Sequence, residues 1–145
     1  MNRWITRVGV VLLGAACVAP ARTDTAYQAK AADTADAVVS AARTVLLVAR
    51  QAGHEQMFSP AVAVTVADAE TDAASARDAF VSIQPPDARS DEMRRRLVGD
   101  VQRAVDIIEL VRIAARRAED GRLADVAAPL EPVADRLDRF ATRYG

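Results

Sequence analysis

The sequence predicts an all-α fold, an up-down-up-down four-helix bundle preceded by an N-terminal signal segment. Alanine is the commonest residue, at 32 of 145, and only 4% of the residues are aromatic. Small, strong helix formers with little aromatic bulk favour packed helices over a β-sandwich. Four segments repeat apolar residues at alternating spacings of three and four, which is typical of helix-bundle packing. Because the connections between them are short, neighbouring helices are expected to run antiparallel.

Residues 1–21 are predicted to be a signal peptide, and residues 22–145 the bundle domain. Two arginines precede an apolar run over residues 8–18, which is shorter than the roughly 20 residues that a membrane-spanning helix needs. Ala19-Pro20-Ala21 supplies the small residues that signal peptidase accepts, so cleavage is expected before Arg22. We therefore expect an exported protein, located outside the cell or in the cell envelope.

Cys17 gives an alternative fate for the leader. Gly14-Ala15-Ala16-Cys17 resembles a lipobox at the two positions next to the cysteine, but the usual leucine-like residue is displaced to Leu13. Cleavage after residue 16 would leave a lipid-anchored protein, and an uncut leader would remain as a membrane anchor. Because Cys17 is the only cysteine, the predicted domain has no thiol for a disulfide, for catalysis or for a thiolate metal site.

The first two predicted helices span about Thr25–Ala52 and Pro60–Gln84. The repeating apolar positions of the first are Ala31, Ala35, Val38, Ala42, Val45 and Ala49. Those of the second are Val62, Val66, Ala69, Ala73, Ala76, Phe80 and Ile83. Gly53 is predicted to end the first helix with a left-handed C-cap, and Ser59-Pro60 to start the second.

The third and fourth predicted helices span about Asp91–Asp120 and Leu123–Tyr144. The repeating positions of the third are Met93, Leu97, Val101, Ala104, Ile108, Val111 and Ala115. Those of the fourth are Leu123, Val126, Leu130, Val133, Leu137, Phe140 and Tyr144. Ser90 is predicted to cap the third helix and Gly121 to end it. Pro129 and Pro132 should kink the fourth helix or separate its first turn.

The charge of the predicted domain argues against two classes of partner. After Ala21 the chain has 17 basic and 20 acidic residues, a net charge of −3. This balance lacks the basic field that nucleic-acid binding requires, and it does not predict electrostatic binding to a membrane surface. Any membrane attachment is therefore expected only through the leader or a lipidated Cys17.

The candidate sites for a ligand or a metal are few. His54, Glu55 and Met57 could offer soft ligands on one loop, but metals of this kind usually take roughly three or four protein ligands. Acidic residues recur on the second and third helices, at Asp68, Glu70, Asp72, Asp106 and Glu109. They lie outside the repeating apolar positions, which favours solvated faces paired with arginines. Arg94-Arg95-Arg96 could bind phosphate or lipid, although acidic neighbours mix the local charge.

A second apolar stripe follows the third helix and predicts a contact surface. Ile107, Leu110, Ile113 and Ala114 lie off the repeating positions, as do Leu46 and Leu47 of the first helix. A helix that is apolar on two sides is central to its bundle or has something on its outer face. Flanking positions in a bundle account for Ile107 and Ala114 but leave Leu110 and Ile113. These residues predict a protein partner or self-association.

Several short segments resemble those of small exported or lipid-anchored helical-bundle proteins of actinobacteria. They are Ile83-Gln84-Pro85-Pro86-Asp87, Leu97, the run from Ala114 to Leu123, and Leu137-Asp138-Arg139-Phe140. The resemblance covers about half of the predicted domain and implies an all-α fold and export, without catalytic residues. The mycobacterial haemophore-like proteins are similar in size and export, but they depend on a cysteine pair that this chain lacks.

Together these patterns predict a non-enzymatic binding or interaction module at the cell envelope, without a cofactor. The alternative is a carrier of a small ligand, metal or haem, for which His54, Met57 and Tyr27 are the first residues to test. The sequence contains no glycine-rich phosphate loop, no Ser-His-Asp set and no zincin motif. An enzyme is therefore not expected.

Overall fold

The computed structural model describes residues 23–54 and 59–145, which form helices without a β-strand among them. The helices are α1 (Asp24–Gly53), α2 (Ser59–Val81), α3 (Ala88–Arg116), α4 (Leu123–Ala127) and α5 (Leu130–Tyr144), with a short 3-10 helix at Asp120–Arg122. The predicted all-α class is confirmed. The predicted leader, including Cys17, lies outside the described residues, as do Glu55 and Met57. None of the described helices has the length and apolar character needed to span a membrane.

The repeating apolar positions form the core. All six positions predicted on α1 are completely buried, and those of α3 are buried from Met93 to Ala115. α1 lies centrally, packing against α2 and α5 and also contacting α3 and α4. Alanine occupies four of its six core positions, and such small side chains let neighbouring helices approach closely.

The start of α3 differs from the prediction in its capping residue. Asp87, not Ser90, is the N-cap, and its carboxylate accepts a hydrogen bond from the Ser90 backbone N–H at 2.7 Å. Ser90 lies inside the helix, and its buried hydroxyl donates to Asp24 Oδ1 at 2.8 Å. The predicted cap was therefore wrong because Asp87 starts the helix one turn earlier, which frees Ser90 to join α3 to α1.

The end of α3 also departs from the glycine caps that were predicted. Among the described residues no glycine has a positive φ; Ala118 does, at 53°. The Glu119 N–H donates to Ala114 O at 3.1 Å and the Ala118 N–H to Ala115 O at 3.0 Å. This is the double hydrogen bond of a Schellman end, which satisfies two of the last carbonyls. Ala118 thus takes the role predicted for Gly121.

The predicted break in the fourth helical segment separates α4 from α5. Pro129 cannot donate a backbone hydrogen bond, and neither can Pro132 in the first turn of α5. The chain bridges this region with hydrogen bonds from Ala128 to Ala124 O at 3.0 Å and from Glu131 to Ala128 O at 3.2 Å. Because φ at Pro129 is −63°, close to helical, the chain direction is largely kept.

Candidate functional site

A cleft opens between the first part of α3 and the last part of α5. Its volume is about 820 Å³, within the range of small-molecule sites. On α3 it extends from Arg89 to Asp100, and on α5 from Arg136 to Tyr144. The eleven residue steps from Arg89 to Asp100 along α3 correspond to a length of about 16 Å. The cleft is therefore an elongated groove.

The floor and one wall of this cleft are apolar. Met93, Leu97 and Leu137 form the floor and are buried, with Leu97 and Leu137 each 1% exposed. Phe140 and Tyr144 are half-buried on α5, with ring centroids 4.7 Å apart and ring planes tilted by 45°. These five residues provide an apolar surface that remains open to solvent along one side.

The rim of the cleft is charged and mainly basic. Five arginines line it, against two carboxylates, which gives an excess of three positive charges. The lining arginines are Arg89, Arg96, Arg136, Arg139 and Arg143, and the carboxylates are Glu92 and Asp100. This basic rim contrasts with the acidic balance of the predicted domain as a whole, so the charge is locally concentrated.

Both carboxylates of the rim are already paired. Arg136 donates to Asp100 Oδ1 from Nε at 3.0 Å and from Nη2 at 2.8 Å, which joins α5 to α3 at the inner end of the cleft. Glu92 accepts from Arg96 Nε at 3.0 Å and also pairs with Arg95. Hydrogen bonds from Arg95 and Arg96 lower the pKa of Glu92. The carboxylates thus neutralise Arg136 and Arg96 but not the rest of the rim.

Three rim arginines remain without an ion pair to any carboxylate in residues 23–54 and 59–145: Arg89, Arg139 and Arg143. Arg89 is near enough to Asp87 to contribute to the lowered pKa of that carboxyl. The Arg143 guanidinium carbon lies 5.5 Å from the centroid of the Tyr144 ring. Arg139 and Arg143 are four residues apart on α5, a spacing at which like charges repel. An anion bound between them would relieve that repulsion.

Charged side chains of α3 border the apolar part of the cleft. Glu92 and Arg96 flank the buried positions Met93 and Leu97. Long charged side chains bury their stems and keep their heads in water. Phe140 and Tyr144, which were predicted as core positions, stay partly exposed on the facing helix.

The residues proposed as metal ligands do not form a site in the described structure. His54 is exposed at the C-terminal end of α1, and its backbone N–H donates to Gln51 O at 3.2 Å. Glu55 and Met57 lie outside the described residues. Within residues 23–54 and 59–145 no three His, Cys, Asp or Glu side chains are placed to hold a metal ion.

The acidic residues singled out on α2 and α3 lie apart from the cleft. Asp68, Asp72 and Asp106 are exposed, and Asp106 accepts a hydrogen bond from Gln102 at 2.7 Å. Glu70 forms a half-buried ion pair with Arg112, which joins α2 to α3, while Glu109 lies 3.8 Å from the same guanidinium. Glu70 and Glu109 thus share one arginine, and this arrangement has a structural role in the contact of α2 with α3.

The arginine run is divided among three environments. Arg94 donates to Val81 O at 2.6 Å, and Arg95 pairs with Asp91 and Glu92. Arg96 alone reaches the rim of the cleft. The run therefore contributes one residue to the candidate site instead of forming a patch of its own.

The predicted outer stripe is only partly exposed. Leu110 is 56% exposed and Leu47 51%, whereas Ile107 and Ile113 are half-buried. Leu46 and Ala114 are buried in the core, so they do not belong to an exposed surface; a bundle helix with two neighbours buries these flanking positions too. The exposed remainder is therefore smaller than predicted.

Tyr27 is enclosed in the core, away from the cleft. It is fully buried, and its ring centroid lies 5.3 Å from that of Phe80. Its hydroxyl has no hydrogen-bond partner among the described protein atoms, and burial raises the pKa of this phenol. Tyr27 therefore does not join His54 in a ligand site.

Sequence reasoning missed the cleft because its residues follow two separate patterns. Phe140 and Tyr144 fitted the core repeat, while Arg139 and Arg143 resembled an ordinary solvated face. The signal available was the pairing of two aromatic residues with two arginines one turn apart at the end of one helix.

Comparisons of the chain with protein-family models, with curated proteins and with solved structures found no match. The chemistry of the cleft is therefore the basis for a proposed function.

Proposed function

We propose that this chain is a non-enzymatic binding module that holds an anionic small ligand in the cleft between α3 and α5. The observation that carries the proposal is the combination of a partly exposed aromatic wall, Phe140 and Tyr144, with three rim arginines that have no acidic partner among the described residues. Arginine side chains bind carboxylate and phosphate groups in a bidentate manner. The cleft offers no described nucleophile–base pair, which favours binding over catalysis.

We also propose that the protein acts in the cell envelope or outside the cell, and that its helices form a four-helix bundle. The leader predicted at residues 1–21 would export the chain to the cell envelope or beyond it, with a lipidated Cys17 as the alternative to free release. The bundle would be of the up-down-up-down type, with α4 and α5 together as its fourth helix. The resemblance to exported helical-bundle proteins of actinobacteria supports the same placement.

Native mass spectrometry of the protein purified from its own host tests the proposal. We expect a bound small molecule in the wild-type spectrum, and we expect an Arg139→Ser/Arg143→Ser variant to lose it. The matched control is Arg116→Ser/Arg117→Ser, which removes the same charge from exposed arginines at the other end of α3. This control should keep the ligand.

The outcome decides between the cleft and other surfaces. A bound mass that survives in the rim variant would place the ligand elsewhere and contradict the proposal. So would a wild-type protein without bound mass that also fails to bind any anionic compound in a thermal-shift panel. The same spectrum gives the N-terminus, showing either Arg22 or a lipid-modified Cys17.

A second candidate is a protein-interaction module that uses the outer face of α3. The exposure of Leu110, which is 56% accessible beside the half-buried Ile113, favours it. We expect a Leu110→Ser/Ile113→Ser variant to weaken association in sedimentation velocity. A wild-type protein that is monomeric at every concentration and binds no envelope protein would remove this candidate.

A further inference from the structure

We infer that the ligand of the cleft is a single-chain amphiphile with an oxyanion head, such as a long-chain fatty acid. This inference rests on the proposed function and names the class of molecule that the site takes. The charge excess of the rim favours an anion, while the half-buried rings of Phe140 and Tyr144 offer apolar surface to a tail. A small inorganic anion would leave the accessible faces of Phe140 and Tyr144 in water, and a neutral lipid would leave the arginines without a partner.

The apolar part of the cleft fits one extended chain. It presents a single row on each helix, with Met93 and Leu97 on α3 facing Leu137, Phe140 and Tyr144 on α5. An alkyl chain lying along these rows would cover the half-buried rings of Phe140 and Tyr144 and the accessible edge of Met93. Met93, 9% exposed at this surface, has a flexible side chain that adapts to irregular apolar contacts. Each buried methylene contributes about 0.8 kcal/mol, so affinity should rise with chain length until the chain fills the cleft.

The charges set the direction in which the ligand lies. Arg143 and Tyr144 are at the outer end of the cleft near Arg89, whereas the Asp100–Arg136 ion pair closes the inner end. A head group at the outer end meets arginines that have no acidic ion-pair partner among the described residues. At the inner end Arg136 is already neutralised by Asp100, so a head group placed there would find no arginine free of an ion pair among the lining residues of that end. The tail therefore points inwards, towards Leu97 and Leu137.

Isothermal titration with chosen probes tests this inference on the protein purified from its host and freed of bound molecules. The probes are palmitate and hexadecyl phosphate, hexadecanol as the neutral chain, and acetate and inorganic phosphate as heads alone. We expect both charged chains to bind, and hexadecanol to bind more weakly by on the order of tenfold or more, because it lacks the charge-assisted hydrogen bonds. The tighter of the two charged chains identifies the head group.

Variants of the cleft separate the head from the tail. Arg139→Ser/Arg143→Ser should reduce palmitate affinity to that of hexadecanol, while Arg116→Ser/Arg117→Ser should leave it unchanged. Phe140→Ala should weaken palmitate and hexadecanol by a similar factor, because it removes tail contact alone. Circular dichroism melting of each variant confirms that it folds before binding is compared.

Two different failures can be told apart. If acetate or inorganic phosphate binds as tightly as palmitate and the arginine variant loses it, the cleft binds anions and only the amphiphile assignment falls. If no probe binding responds to the arginine variant or to Phe140→Ala, the cleft is not the site and the proposed function falls as well. Equal affinity for palmitate and hexadecanol in the wild-type protein would also overturn the inference.

Discussion

Ala118 adopts a backbone conformation that disfavours any residue with a Cβ atom. Its φ of 53° lies in the left-handed region, and its N–H donates to Ala115 O at the end of α3. Glycine accepts this conformation without steric cost, so we expect Ala118→Gly to raise the free energy of unfolding by about 0.5–1 kcal/mol. Urea denaturation measures the change. Ala29→Gly, at an exposed position inside α1, should instead lose about 1 kcal/mol, and a loss at both positions would contradict the prediction.

The stability that Asp87 gives to the start of α3 depends on pH. The hydrogen bond from the Ser90 N–H is the main cause that lowers the pKa of Asp87 from 3.8. Because the folded pKa lies below the unfolded one, the cap stabilises the protein above pH 3.8 and loses its effect as the pH falls through the lowered value. Asp87→Ala should therefore be less stable than wild type at neutral pH, with a gap that closes under strong acid.

Asp87→Asn separates the charge of this cap from its hydrogen bond. Asparagine caps helices about as well as aspartate but does not titrate in this range. We expect the variant to keep most of the stability at neutral pH and to become more stable than wild type in strong acid. Urea denaturation at neutral and strongly acidic pH gives both values, and a gap between Asp87→Ala and wild type that does not change with pH would refute the assignment.

The contact of α2 with α3 includes an ion pair with restricted access to solvent. Arg112 and Glu70 have side chains that are 19% and 24% exposed, whereas those of Lys30 and Asp33 in α1 are 63% and 69% exposed. A double-mutant cycle with Glu70→Gln and Arg112→Gln should give a coupling free energy of about 1 kcal/mol, discounted for the remaining solvent contact. The matched cycle on Lys30 and Asp33 should give less than about 0.5 kcal/mol. Equal coupling in the two cycles would contradict a role for burial.

The helices themselves were largely predictable from the sequence because their packing obeys a simple period. Every predicted core position of α1 is buried, and Pro129 and Pro132 separate α4 from α5 as expected. The helix ends were less predictable. Asp87 and Ser90 could each cap α3, and Ala118 adopts the left-handed conformation that was predicted for Gly121. Such choices depend on competing local hydrogen bonds, which periodicity does not describe.

The cleft was not predictable because it depends on how far apart two helices lie. Phe140 and Tyr144 occupy core positions of the repeat, and a closed bundle would bury them. The structure leaves both half-buried along a cleft that they share with the charged residues Glu92 and Arg96 of α3. A heptad pattern assigns residues to faces, but it does not give the separation of the faces. The site therefore required the packing of α3 against α5.

The arginines of α5 are expected to lower the free energy of unfolding while they contribute to the proposed binding. Arg139 lies three residues from Arg136 and four from Arg143, so α5 concentrates like charges along the cleft. Arg139→Glu turns these two repulsive pairs into attractive ones and makes one repulsive pair with Asp135, four residues before it. The net change of one pair should raise the free energy of unfolding by about 0.5 kcal/mol. The same substitution removes a rim arginine and adds a carboxylate, so it should weaken palmitate binding to the level of hexadecanol. A residue that weakens the fold while serving a ligand is typical of a functional site.

Arg103→Glu is the matched reversal on α3, outside the cleft. Arg103 is three residues from both Asp100 and Asp106, so its reversal creates repulsion and should lower the free energy of unfolding by a similar amount, about 0.5 kcal/mol. Urea denaturation of the ligand-free proteins measures both effects. Opposite signs at the two positions would mean that Arg103 stabilises the fold and Arg139 does not. If both reversals destabilised the chain equally, Arg139 would be an ordinary structural residue, and the cleft would lose one of the charges on which its proposed ligand depends.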